Sequence, residues 1–132
     1  LTRKEQLRIF AKRMKKTVII GATTNPTRYS HMAALRLHEH GHEIVPMGIK
    51  QGIIADRTII NDRPPIADVD TVTLYLQPAR QPDWYDYILN LRPKRIIFNP
   101  GTENPELEKL ARSQGIETIE ACTLVMLSTN QY

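Results

Sequence analysis

Short apolar runs alternate with helical patterns along this chain, and that alternation predicts the α/β class. Two further observations narrow it. The runs are continuous rather than alternating, as in strands buried on both faces of a parallel sheet. Glycine, proline or a helix-capping residue punctuates the stretches between them. With 132 residues, of which 41% are hydrophobic and 24% charged, one core and one domain are expected.

Residues 1–16 read as a basic extension ahead of a domain at 17–132. Leu7, Phe10, Ala11 and Met14 recur at i, i+3, i+4 and i+7. Residues 3–15 are therefore expected to form an amphipathic helix that docks this stripe on the body. Residues 17–21, Thr-Val-Ile-Ile-Gly, are the first strand. A polar loop then leads to Ser30 as N-cap and to a helix carrying Met32, Ala33, Leu35 and Leu37, which Gly41 stops. The second strand is expected at 43–47 and the third, strongly β-prone, at 71–76. Between them Gly52, Pro64 and Pro65 interrupt any helical pattern. That stretch is expected to be mostly loop, with room for a small strand at 58–60 and one helical turn at 65–68.

Trp84, Ile88 and Leu91 form the stripe of the next helix, with Pro82 near its first turn. A fourth strand at 95–99 precedes the best-signalled helix, in which Asn104 caps, Pro105 opens, and Gly115 closes behind Leu107, Leu110 and Ala111. Residues 116–119 supply a fifth strand, and 124–127 a terminal helical turn or a strand end. Right-handed crossovers then predict a Rossmann-like doubly wound parallel sheet in the order 3-2-1-4-5. Its ligand crevice would lie between the first and fourth strands, lined by the loops after Gly21 and Asn99.

The net charge is +4, yet Arg3, Lys4, Arg8, Lys12, Arg13, Lys15 and Lys16 all stand in the first 16 residues, which leaves the remainder slightly acidic. A basic run of this kind is an ordinary solvated helix face, so neither a nucleic-acid nor a membrane partner is expected. No apolar run has the length of a membrane span, and the first segment lacks the pattern of a secretion signal. The single cysteine, Cys122, cannot form an internal disulfide and suits a reducing compartment, so a cytoplasmic location is expected.

The chemistry concentrates in residues 21–30, Gly-Ala-Thr-Thr-Asn-Pro-Thr-Arg-Tyr-Ser, where the first strand meets the first helix. A helix N-terminus there offers backbone N–H groups and a positive dipole end to a phosphate. The loop departs from G-x-G-x-x-G, since Thr23 and Pro26 stand where glycines would. Thr23, Thr24 and Ser30 nevertheless supply hydroxyls, and Arg28 supplies a charged fork. At the end of the second strand an NAD-binding domain usually places an Asp or Glu for the ribose. Here the residues are Pro46-Met47-Gly48-Ile49-Lys50, an apolar surface followed by a cation. That favours NADP or coenzyme A over NAD.

These residues, with Tyr75-Leu76-Gln77-Pro78 and Cys122, resemble the small stand-alone CoA-binding proteins, which are similar to the N-terminal domain of the succinyl-CoA synthetase α subunit. The resemblance covers roughly residues 16–128. It implies that Gly21, Ala22, Thr23, Thr24, Asn25, Pro26, Arg28, Tyr29 and Ser30 grip the CoA diphosphate and that Lys50 meets the ribose 3′-phosphate. It further implies that Pro46, Met47, Gln77 and Pro78 flank the adenine and that Asn99, Pro100 and Gly101 border the pantetheine path. Two positions depart from the family pattern: Met47-Gly48 replaces an Asn-Pro pair, and Pro100 stands where Gln or Glu often precedes glycine. The synthetase's phosphorylated histidine lies in a second domain, so the ligase reaction is not implied.

His38-Glu39-His40-Gly41-His42 has metal-ligating residue types, but histidines at a helix C-terminus already suit the macrodipole, and no metal site is expected. Cys122 has no histidine beside it in sequence and is expected to be a structural thiol. Asp83 and Asp86 suit the positive end of a helix, and no acid/base pair is visible. The sequence therefore predicts a protein that binds CoA or an acyl-CoA with no catalytic residue assigned. An NADP-dependent oxidoreductase and a regulatory interaction domain with a vestigial pocket stand as alternatives. Whether it pairs with itself or with a partner enzyme stays open.

Overall fold

The structure, a computed structural model, describes residues 1–132 apart from the side chains of residues 11 and 12. In chain order the elements are α1 (Arg3–Arg13), β1 (Thr17–Ile20), α2 (Tyr29–Glu39), β2 (Ile44–Met47), the short pair β3 (Ile53–Ile54) and β4 (Arg57–Thr58), β5 (Thr71–Leu74), α3 (Tyr85–Asn90), β6 (Arg95–Phe98), α4 (Pro105–Ser113), β7 (Glu117–Glu120) and α5 (Thr123–Ser128). Five strands make one parallel, Rossmann-like sheet in the order β2-β1-β5-β6-β7.

Counted along the chain, the five sheet strands therefore run 2-1-3-4-5 rather than the expected 3-2-1-4-5. The reason lies at the outer edge of β2. The N–H of Ile60 donates to the Pro46 carbonyl at 2.9 Å and the N–H of Gly48 donates to the Ile60 carbonyl at 3.1 Å, so that edge is already covered. Pro46 fits there because its carbonyl faces outward, and its missing N–H takes nothing from the β1 ladder. The next long strand, β5, pairs with the free side of β1, Thr17 beside Thr71 and Ile20 beside Leu74. The winding thus reverses between β1 and β5, and the crevice rule points to the loops after residues 20 and 74.

The stretch 48–70 contains no crossover helix, as expected, but it does hold an antiparallel hairpin of β3 with β4. Ala55 and Asp56 take positive φ values of 47° and 66° at its turn, the backbone of a two-residue hairpin loop built without the usual glycine. Residues 65–68 form no helical turn.

Pleating divides the core between the two faces of the sheet. Val18, Ile20, Val72, Leu74, Ile96 and Phe98 pack with Ile88 and Leu89 of α3 and Leu107 and Ala111 of α4. Ile19 and Ile44 pack on the other face with Ala34 and Leu37 of α2 and Leu127 of α5. At one end of the sheet β7 exposes Glu117 and Glu120, with Thr118 and Ile119 half-buried.

The amphipathic helix at the start forms, closed by a reciprocal Thr2–Glu5 capping box, but its stripe is docked only at its end, where Met14 is half-buried and the edge of the Phe10 ring lies against Gly41. Leu7 is 57% exposed and Phe10 60%; the Ala11 side chain lies outside the described residues. By contrast α4 follows its local signals closely. The Asn104 side chain accepts from the N–H groups of Glu106 and Leu107, and Pro105 opens the helix. Of the stripe expected around residue 88, Ile88 and Leu91 are buried, while Trp84 sits half-buried in a 3₁₀ turn just before α3. No helix among the described residues is long and apolar enough to cross a membrane.

Candidate functional site at the carboxyl rim of the sheet

Three glycines bring the ends of β1, β2 and β5 together. Gly21, at φ +98°, lies against the backbone of Tyr75, where a Cβ would stand 3.1 Å from the Tyr75 carbonyl. A Cβ on Gly48 would fall 2.2 Å from the Ala22 carbonyl oxygen, and one on Gly52 would fall 2.3 Å from Thr24 Cγ2. The first loop is thus clasped between residues 48–52 and the end of β5. Sequence reasoning missed Gly48 and Gly52 as site-building residues. The signal available was two glycines bracketing Lys50, since glycine often marks a close approach of backbones.

Within the first loop, the N–H and hydroxyl of Thr27 donate to Asn25 Oδ1 at 3.0 and 2.8 Å, and the Asn25 N–H donates to Thr23 Oγ1 at 3.2 Å. His31 Nδ1–H donates to the Thr23 carbonyl at 2.9 Å. These local bonds shape the turn and leave Thr24, Pro26, Arg28 and Tyr29 exposed. Ser30 is not the N-cap expected of it. The helix begins two residues earlier, Arg28 occupies the cap position without a side-chain bond, and Ser30 is buried in the first turn. The first turn of α2 is therefore uncapped by any side chain, which suits an anion.

Lys50 is exposed beyond β2, in a segment pinned by Asn61, whose amide donates to the Gly48 and Lys50 carbonyls at 2.9 Å each. Neither Arg28 nor Lys50 has an acidic partner among the described residues. Gln77 and Pro78 are exposed after β5, and Pro100 and Gly101 after β6.

Two expected contacts are displaced by burial. Met47 is 0% exposed within the core, and Pro46 is buried beside it in β2, so neither offers a side-chain face to a base. Both faces of the sheet are covered at β2, so either orientation of the pleat buries a residue there, and Met47, paired with Ile20, lies in the same core cluster as that residue. Asn99 is 2% exposed, and its amide is used up internally. It donates to Thr73 Oγ1 at 2.7 Å and to the Leu74 carbonyl at 2.9 Å, and it accepts the N–H of Thr123. It ties β5, β6 and α5 together.

Gln81, unmarked in the sequence, makes the companion tie. It is 0% exposed, donates to the Leu76 and Thr102 carbonyls at 2.9 and 2.8 Å, and accepts from Asn104 Nδ2. The loops after β5 and β6 are held to one spacing by this side chain. Below the rim the Tyr75 hydroxyl is buried without a hydrogen-bond partner, and burial pushes its ionisation upward. Cys122 is a half-buried free thiol at the N-cap position of the six-residue α5.

The histidine run does not converge. His38 is exposed, His40 Nδ1–H donates to the Arg36 carbonyl, and His42 accepts from the Lys15 N–H. No group of three His, Cys, Asp or Glu side chains suited to a metal gathers among the described residues. Two concave regions of about 640 and 630 Å³ lie at the opposite, amino end of the sheet, one beside Lys15, His42 and Tyr132, the other beside Lys16, Asp70 and Lys94.

No curated protein matches the sequence. Among solved structures, the crystal structure of an uncharacterized protein is 56% identical, with a TM-score of 0.88, over 90% of this chain and 98% of that one. A Thermus thermophilus protein is 21% identical at a TM-score of 0.78, over 99% of this chain and all of that one. A hypothetical protein from Pyrococcus horikoshii OT3 is 24% identical at 0.76, over 98% and 92%. The latter two similarities establish the fold alone. The family model described as a CoA binding domain matches residues 15–128. Nearly the whole of the sheet and its helices falls within that match, and the chain belongs to the CoA-binding domain family.

Proposed function

We propose that this protein binds coenzyme A or an acyl-CoA across the carboxyl rim, with residues 21–30 gripping the diphosphate. The observation that carries this reading is the clasped first loop, which leads into an α2 first turn without a side-chain cap. Backbone N–H groups and the positive helix end are suited to a diphosphate there. Arg28 adds a charged fork, and Lys50 adds a cation for the ribose 3′-phosphate, a group that CoA has and dephospho-CoA lacks. Gln77-Pro78 and Pro100-Gly101 border the remainder of the ligand. With Met47 buried, the base rests on the exposed residues of these loops.

Calorimetric titration with CoA, dephospho-CoA, NADP and NAD tests the reading directly. CoA should bind tightest; tighter NADP binding would transfer the site to redox chemistry, and no binding would make the pocket vestigial. Arg28→Ala should weaken CoA about ten- to a hundredfold, the scale of a charge-assisted contact. Unchanged affinity in a folded variant would remove Arg28 from the diphosphate.

Lys50 has a subtler expected effect, because an exposed ion pair is screened by salt. At low ionic strength the wild type should prefer CoA to dephospho-CoA, and Lys50→Ala should erase most of that preference. Added salt should shrink the preference in the wild type and change little in the variant. Equal binding of the two ligands by the wild type at low salt would reject this role for Lys50.

A further inference from the structure

At the amino end of the sheet, away from the ligand rim, the backbone N–H of Lys15 donates to His42 Nδ1 at 2.9 Å. The His42 ring leans on Tyr132, with centroids 4.9 Å apart. Tyr132 is held in turn through its hydroxyl, 2.6 Å from Thr17 Oγ1. Lys15 Nζ donates to the Tyr132 carbonyl oxygen, and the Arg95 guanidinium stacks 4.4 Å from the ring centroid. Three places distant in sequence meet here: the segment between α1 and β1, the turn after α2, and the residues after α5.

We infer that His42 is the acid-released catch of a latch that ties Met14 and Lys15, and with them Tyr132, to the body of the domain. The bond from Lys15 requires a bare Nδ1. A proton on that nitrogen converts the acceptor into a donor facing another donor, so the bond cannot survive a doubly protonated ring.

The surroundings oppose that proton. Facing His42 are Lys15 on the segment before β1, His40 after α2 and Arg95 on β6, with Arg13 of α1 lining the same groove. Asp70, before β5, is the acidic group acting in the other direction, while Glu43 is engaged with Lys16 at 3.7 Å. Burial first, and Lys15 second, hold His42 below the ordinary histidine value of 6.5. A group depressed in the folded state binds its proton more readily when released. The latch is therefore fully closed above that ordinary value and opens as pH falls through the lower value of the closed state.

Opening has a definite mechanical result. Phe10 of α1 lies over Gly41, next to the catch, its ring edge 3.4 Å from where a Cβ would be. Releasing Met14 and Lys15 loosens the hold on the first segment, which carries seven of the chain's 18 Lys and Arg, while Lys16 stays tied to the sheet because its carbonyl accepts from the Asp70 and Thr71 N–H groups.

Amide hydrogen exchange of the full chain at pH 7.5 and pH 4.5, corrected for intrinsic rates, tests the latch. Core amides such as Ile19 and Ile97 serve as the reference for global stability. Protection of the Lys15 amide should fall about tenfold more than theirs on acidification. His42→Asn places an acceptor near Nδ1 but does not titrate, so Lys15 should stay protected at both pH values. His42→Phe keeps the ring and removes the acceptor, so Lys15 should be unprotected at both. A wild-type Lys15 amide that tracks the core, an Asn variant with the same acid loss as wild type, or a protected Phe variant would each overturn the inference.

Discussion

Replacing Gly48 with alanine should cost about 1–3 kcal/mol of stability, the usual scale of an overpacked site, and should weaken CoA binding in the molecules that remain folded. The added methyl would stand 2.2 Å from the Ala22 carbonyl oxygen and 3.2 Å from its carbon. Both are backbone atoms, so no side chain can rotate to make room. Either the end of β2 or the loop proposed to hold the diphosphate has to move, and the two effects should appear together. Urea unfolding gives the first and calorimetric titration the second. A Gly48→Ala protein with wild-type midpoint and affinity would show that the two loops slide freely past each other, and the clasp described for the rim would not exist.

Asn99→Ala should separate stability from binding. The substitution removes three internal hydrogen bonds and strands the Thr123 N–H and the Leu74 carbonyl in a buried place. A loss of about 3 kcal/mol is expected from groups left without partners. Because the Asn99 side chain faces inward, CoA affinity measured well below the unfolding transition should change far less than in Arg28→Ala. Thermal unfolding alongside titration checks both halves. A stable variant with much weaker binding would place the amide on the ligand instead.

Where the partners of a residue lie within a few positions along the chain, the sequence could be read directly. Asn104-Pro105 and Gly115 bracket α4 by contacts no more than three or four residues long, and the helix lies where those residues put it. The class of fold was legible for a related reason, since the apolar and β-branched runs at 17–20, 71–74 and 95–98 mark strands covered on both faces. Strand order was not legible. It turns on whether the outer edge of β2 is open, and Ile60, fourteen positions after Pro46, closes it through bonds that leave no local pattern.

The candidate site divides along the same line. Residues 21–30 could be located from strand, loop and helix alone. Cover on both faces of the sheet buried Met47, hydrogen bonds to Thr73, Leu74 and Thr123 turned Asn99 inward, and neighbours remote in sequence gave Gly48, Gly52 and Gln81 their importance. The largely exposed face of α1 is a further instance, since periodicity identifies an apolar stripe but not what lies opposite it.

The two margins of the sheet are finished differently, and this bears on how the protein behaves when crowded. The β2 margin is closed by its own chain through Ile60, which leaves β7 as the margin open to a foreign strand. An antiparallel copy of β7 laid symmetrically against it would set Glu117 opposite Glu120, and a parallel copy in register would align each glutamate with itself. Like charges in those positions oppose pairing. The strand thus resists templating aggregates of its own kind, a safeguard that concentrated salt would weaken.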